Sequence, residues 1–188
     1  MRTRVREVRP DWNVVVMTGT GLVMKAINDL RARFAFAELR SSPHGGVAIG
    51  KLSADGDLID LLNREHAEHP EAFRHVQRMV PVERVLPFVR EDVTETLCEA
   101  LAEQGHRVAG KRFYVRCRLR GLESRLEARA VERAIGSYLV ELALLTGPPP
   151  KVAFDDAEIV VGLEVIGTTV GYAFHDHRAI GSALVRPR

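Results

Sequence analysis

Arg112, Arg116, Arg118 and Arg120 alternate with apolar residues in the stretch KRFYVRCRLRGLESRLEAR, residues 111–129. In an extended strand successive side chains leave opposite faces. These four arginines and Tyr114 then share one face, and Phe113, Val115, Cys117 and Leu119 share the other. A guanidinium is permanently charged and grips phosphate through two parallel N–H bonds. Set about 6.6 Å apart on a strand, such a row suits a phosphate backbone, and Tyr114 offers a ring on which a base can stack. Beyond Gly121, residues Arg125, Arg129 and Arg133 follow at i, i+4 and i+8, one stripe of a helix with about 6 Å between turns. Lys111, Lys151 and Arg78 are marginal members of the same basic surface. Residues 111–133 hold eight basic side chains against Glu123, Glu127 and Glu132, a net +5 in a chain whose formal net charge is only +2. The alternative reading is a solvated face of an antiparallel sheet, with these glutamates neutralising part of the row.

Other residue groupings carry weaker chemistry. Gly19 and Gly21 lie between an apolar strand and a helix, but Met24 stands where a dinucleotide loop needs a third glycine, and no Gly-Lys-Ser/Thr is present. A glycine-assisted strand-to-helix turn is the expected role. His175, Asp176 and His177 form the one tight metal-like cluster, short of the three or four convergent ligands zinc requires. His66, His69 and His75 read as surface residues around a Glu-rich linker, and Asp155 and Asp156 as turn residues. The two cysteines, Cys98 and Cys117, sit among apolar neighbours and read as buried free thiols, not as a disulfide framework. No G-x-S-x-G, H-E-x-x-H or paired-Cys motif occurs. The residues thus predict no catalytic site, no metal and no cofactor.

The elements that must position the basic row follow from periodicity. A chain of 188 residues with 46% hydrophobic residues buries a sizeable core. It holds no apolar run near the roughly 20 residues of a membrane span, and the basic start MRTRVREVRP leads into no signal-peptide core. A cytoplasmic protein is expected, with Arg2, Arg4, Arg6 and Arg9 on a fraying N-terminal arm. A strand at about 12–17 precedes a helix presenting Leu22, Val23, Ala26, Ile27, Leu30 and Phe34. FAFAEL and VAIGKL read as a hairpin across SSPHGG, SADGDLIDLLNREH as a capped helix, and AFRHVQRMVPV as a strand ended or bulged at Pro81. The order is β-α-β-β-α-β, the ferredoxin-like pattern. The second half predicts a helix with Val93, Leu97, Ala100 and Leu101 inward, then the arginine strand. A capping box of Ser124 and Glu127 opens a helix through Ile135, Tyr138, Leu139, Leu142 and Leu145. Two strands turning at Gly167 and Thr168 follow, and AIGSALV adds an edge strand. The expected fold class is α+β with mixed sheets, in two domains, 10–87 and 88–188.

FYVRCRLRG, ESRLEARAVERAIGSYLVE and KVAFDDAEIVVGLEVIGTTVGYAF together resemble a THUMP domain. That family's pattern is a strand with F-x-V-R, a helix with a late I-G, and a K-V-D-L-x-x-P-D segment feeding the last two strands. Phe113, Val115, Arg116, Ile135, Gly136, Lys151 and Val152 stand at those places, whereas Ala153, Ala157 and Glu158 replace the usual Asp, Pro and Asp. The preceding unit, from DWNVVVMTG to RHVQRMVPVERVLPF, resembles the THUMP-associated ferredoxin-like domain, with an Arg-x-x-Pro element at Arg78 and Pro81. The resemblance covers residues 10 to 178 and implies tRNA binding near the 3′ acceptor end. In that family a separate domain performs methylation, thiolation, pseudouridylation or deamination, and 188 residues leave no room for one. The chain is most similar to the stand-alone THUMP adaptors of tRNA cytidine acetylation, which implies a non-catalytic protein that presents tRNA to an acetyltransferase. Two other readings stay open: a small RNA- or nucleotide-modifying enzyme using Gly19, Gly21 or the His175–His177 strand, and a basic protein-interaction module.

Overall fold

Val14–Thr18 forms β1, whose valines at 14, 15 and 16 are fully buried. β1 runs into a turn where Gly21 takes φ +76°, a left-handed conformation that glycine enters without a Cβ penalty. α1 (Val23–Arg33) begins directly after it, as the turn reading of these glycines requires. β2 (Phe36–Ser41) and β3 (Val47–Leu52) make the expected hairpin. Asp57 Oδ1 accepts from the Ile59 N–H at 2.7 Å and caps α2 (Leu58–Glu68), and after a 3-10 turn at Pro70–Phe73 the chain enters β4 (Val76–Pro81). The sheet order is β2-β3-β1-β4, antiparallel throughout, which is the ferredoxin-like arrangement. β4 ends at Pro81 opposite Val14, and its register irregularity lies at its other end, where Gln77 is passed over between the Met17–Arg78 and Thr18–Val76 pairs. The computed structural model describes residues 8–53, 57–89, 92–121 and 126–177.

The second sheet is assembled from β5 (Arg84–Pro87), β6 (Arg112–Arg120), β7 (Lys151–Val152), β8 (Ile159–Ile166) and β9 (Thr169–Asp176), in the order β5-β9-β8-β6-β7. β6 is parallel to both β7 and β8, and the other pairs are antiparallel. α3 (Val93–Leu101) and α4 (Ala128–Thr146) cover one face, where Val93, Leu97, Phe113, Val115, Ile135, Leu139 and Leu163 form a core. Each such apolar side chain contributes about 1.5–3 kcal/mol on full burial. β8 and β9 are buried almost throughout, as their near-continuous apolar runs demand.

Two expectations require correction. α4 starts at Ala128 with Glu127 as its N-cap and no side-chain cap bond, so Glu127 is not the third residue of a helix opened by Ser124. Ser124 itself lies outside the described residues, as do Arg2, Arg4, Arg6, Arg125 and the AIGSALV segment. Leu145, placed inward by helical spacing, is 83% exposed, because it lies two residues, about 200° round the helix, from Ala143, the last α4 residue packed on the core.

The two sheets share a third core. Trp12, Val15, Val47, Ile49, Val80 and Val82 line the face of the first sheet away from its helices and pack with Ile166 of β8. Gly171 belongs to this seam: a Cβ there would lie 2.7 Å from the Trp12 ring, so only glycine lets the indole approach β9. The Val8 N–H donates to Thr168 Oγ1 at 3.2 Å and the Glu83 N–H to the Tyr172 carbonyl at 2.9 Å across the same seam. Among the described residues no helix is long and apolar enough to cross a membrane.

Candidate nucleic-acid interface

β6 sorts its side chains as strand alternation requires, with Phe113, Val115 and Cys117 buried and Arg112 and Arg116 exposed. The arginine row is graded along its length. Side-chain exposure is 44% at Arg112 and 45% at Arg116, then 28% at Arg118 and 12% at Arg120, because the strand runs into the seam between the sheets. There Arg120 is paired with Glu164 of β8, itself 5% exposed, and Arg120 Nη2 lies 3.0 Å from Met17 Sδ of the first sheet. Arg118 Nε is 3.9 Å from the same carboxylate, and burial lowers its pKa against the pull of Glu164. Arg116 Nη1 lies 3.9 Å from Glu132 Oε1, and Arg112 lies 3.5 Å from Asp156 and 3.7 Å from Glu158. Exposed pairs of this kind are worth at most about 1 kcal/mol and exchange readily for another anion. The buried Arg120–Glu164 pair belongs to the fold.

A groove opens beside the exposed end of this row. β7 accompanies β6 only at Arg112 and Phe113, and then the chain turns away. The Ala153 N–H donates to the Phe113 carbonyl at 3.0 Å, and the Cys117 N–H donates to Glu132 Oε1 at 2.8 Å. Residues 113 and 117 therefore turn their peptide groups to this edge, and Val115, two residues from each, does the same. The strand edge, α4 and residues 152–154 enclose about 640 Å³, lined by Tyr114, Val115, Arg116, Arg129, Glu132, Arg133 and Phe154 among others. Tyr114 and Phe154 meet with ring centroids 5.5 Å apart at a 40° tilt, and Phe154 is 69% exposed. Burial raises the pKa of the Tyr114 hydroxyl, which keeps it a hydrogen-bond donor at neutral pH.

Of the residues singled out in the sequence, Tyr114, Arg116, Arg129 and Arg133 meet at this groove. Lys111, Arg112 and Lys151 cluster at the start of β6, where the Lys151 N–H donates to the Lys111 carbonyl at 2.9 Å. Arg118 and Arg120 turn toward the seam. Arg78 stands on β4 of the other sheet and does not line the groove. Phe154 and Glu132 escaped sequence reasoning. An aromatic residue in the Asp-rich turn after PPPKV was the available signal for Phe154. Glu132 looked like one more helix-surface carboxylate, and nothing in the sequence announces its bond to the edge of β6.

The other groupings resolve differently. His175 is 3% exposed, its pKa is lowered by burial, and its Nε2 has no hydrogen-bond partner among the described residues. Among the described residues no group of three or more His, Cys, Asp or Glu side chains is placed to hold a metal ion. Burial, helped by the Glu132 and Glu164 charges, pushes the Cys117 thiol up to about 12, and burial also raises Cys98. His66 and His75 are half-buried, not surface residues: His66 packs edge-on against Phe73, and His75 Nδ1 lies 2.7 Å from Asp29.

No protein-family model and no curated protein sequence matches the chain. Solved structures do. TrmN from Thermus thermophilus superposes with a TM-score of 0.61 at 20% identity over 86% of this chain and 44% of its own. PH1313 from Pyrococcus horikoshii Ot3 gives 0.58 at 17% identity, over 86% of this chain and 53% of its own. A 4-thiouridine synthetase solved with RNA and bound ATP gives 0.53 at 11% identity, over 87% of this chain and 41% of its own. The chain thus spans about half, or less, of the length of each. What the likeness establishes is the fold: a ferredoxin-like unit joined to a THUMP-like α/β unit, α+β overall.

Proposed function

We propose that this chain is a non-catalytic, cytoplasmic tRNA-binding protein that presents tRNA to a separate modification enzyme, such as a cytidine acetyltransferase. The observation that carries the reading is the groove beside β6, where the exposed Phe154, in ring contact with Tyr114, adjoins Arg116, Arg129 and Arg133. Phosphate contacts supply affinity and aromatic faces hold splayed bases, and the groove offers both within one strand and one helix. The RNA bound to the 4-thiouridine synthetase of the same fold supports the choice of nucleic acid. Burial raises the pKa of both thiols and makes them poor nucleophiles, so neither Cys98 nor Cys117 is given a catalytic role in this reading. Domain boundaries near residue 88 belong to the same proposal, with residues 10–87 and 88–188 forming one composite surface.

Gel shifts with tRNA in the presence of heparin or polyphosphate test the binding. Retention of tRNA against these polyanions is expected; displacement at equal charge would assign the basic face to an acidic protein. Footprinting should protect the acceptor stem and 3′ end, and protection confined to the anticodon arm would remove the acceptor-end assignment. The adaptor role is tested by adding the chain to a tRNA cytidine acetyltransferase, where a rise in kcat/KM for tRNA is expected.

A further inference from the structure

The lining of the groove is not that of a phosphate slot. Arg116, Arg129 and Arg133 are accompanied by Glu127 and Glu132, and Glu132 is only 18% exposed. A carboxylate repels phosphate but accepts hydrogen bonds from neutral N–H groups. Glu132 Oε1 is engaged by the Cys117 N–H at 2.8 Å, which fixes the carboxylate against the open strand edge and leaves its second oxygen as an acceptor only. Beside it lie the exposed face of Phe154 and the edge-turned peptide of Val115. Because the Tyr114 and Phe154 rings are already in contact, a planar ligand extends the stack over Phe154 instead of entering between them. The ligand that fits is flat, uncharged and carries a donor on its edge.

We propose that the groove binds an unpaired nucleobase through an exocyclic amino group, which cytosine, adenine and guanine carry and uracil lacks, and that Glu132 is its specificity-determining residue. This rests on the RNA-binding reading above. The base lies against Phe154, its amino group donates to the free Glu132 oxygen as cytosine N4 does to acidic side chains elsewhere, and its flanking phosphates meet Arg116, Arg129 and Arg133. Uracil, which has a carbonyl at that position, leaves Glu132 facing an acceptor and is rejected. In a Glu132→Gln variant the side-chain carbonyl keeps the bond from Cys117, and the amide NH₂ now points where the second carboxylate oxygen was, so the preference should turn toward uracil.

The test is fluorescence anisotropy of the full chain with short single-stranded oligoribonucleotides made only of C, of A or of U, with free CMP and UMP as separate arms. Wild type should bind the C and A strands about tenfold more tightly than the U strand. Glu132→Gln should abolish or invert that ratio at unchanged Tm. Phe154→Ala, at an exposed position, should weaken all three strands alike. Equal affinity for all three strands in the wild type, or a preference that survives Glu132→Gln, would overturn the assignment. If tRNA binds but no single strand does, the base site falls while RNA binding stands, and if neither binds, both readings fall. Free CMP binding as tightly as the C strand would assign the groove to a nucleotide and overturn RNA as the source.

Discussion

Arg116 and Arg120 stand four residues apart on one strand face, yet their surroundings separate them. Arg116 keeps nearly half its surface in water and a long, exchangeable contact with Glu132; Arg120 is paired with a buried carboxylate at the junction of two sheets. Replacing Arg116 by Ala should weaken tRNA binding with little sequence dependence and flatten the log–log salt slope by about 0.7–0.9, the share of a single neutralised phosphate. Its stability should stay within about 0.5 kcal/mol of wild type. Arg120→Ala should instead lower stability by about 3 kcal/mol, because Glu164 is left buried with only the distant Arg118 for company. Urea denaturation beside a salt titration of tRNA binding distinguishes the two outcomes. His175 makes a pH prediction. Burial holds its imidazole below the ordinary value of about 6.5, against the opposing charges of Glu83 and Asp57. As pH falls the unfolded chain takes up the proton first, so the contribution of His175 to stability is whole above about pH 6.5 and declines below it. Urea midpoints should therefore drop as pH falls below about 6.5 in the wild type, and His175→Gln should flatten that part of the curve.

At the scale of elements, α4 shows where periodicity is a sound guide and where it stops. Ile135, Leu139 and Ala143 recur every four residues and are fully buried, whereas Leu145 falls about 200° round the helix from Ala143 and faces water. Leu139→Ala should cost about 2–5 kcal/mol and Leu145→Ala under about 0.5 kcal/mol, a contrast that thermal unfolding reads directly. The β-α-β-β-α-β order and the two faces of β6 were legible because each rests on a long run with one dominant period. β5 and β7 were not foreseen: four and two residues carry no period, and both exist because a neighbouring strand supplies their hydrogen bonds. The site was half legible for the same reason. Local alternation put Arg116 and Tyr114 on one face, but Phe154 and Glu132 reach the groove only through the packing of β7 and α4, which a local pattern does not encode.

For the whole molecule, the seam around Trp12, Ile166 and Gly171 joins what would otherwise be two small domains with modest cores. Ile166→Ala should cost about 2–5 kcal/mol and act on both halves at once. Unfolding followed at Trp12 and by far-ultraviolet dichroism should remain a single coincident transition, and two separated transitions would show the seam to be dispensable. A different consequence follows from the brevity of β7. From Tyr114 onward β6 is an edge strand among the described residues, and such an edge is a template on which another molecule of the same protein can add a strand. The Glu132 carboxylate occupies the Cys117 N–H and sets a charge on that edge, two features that disfavour strand addition. Glu132→Ala should accordingly shift sedimentation toward dimers and larger species as concentration rises, whereas Glu132→Gln, which keeps the edge bond, should stay monomeric. A concentration-dependent shift of Glu132→Ala alone would trace the onset of pairing between molecules to the two-residue length of β7.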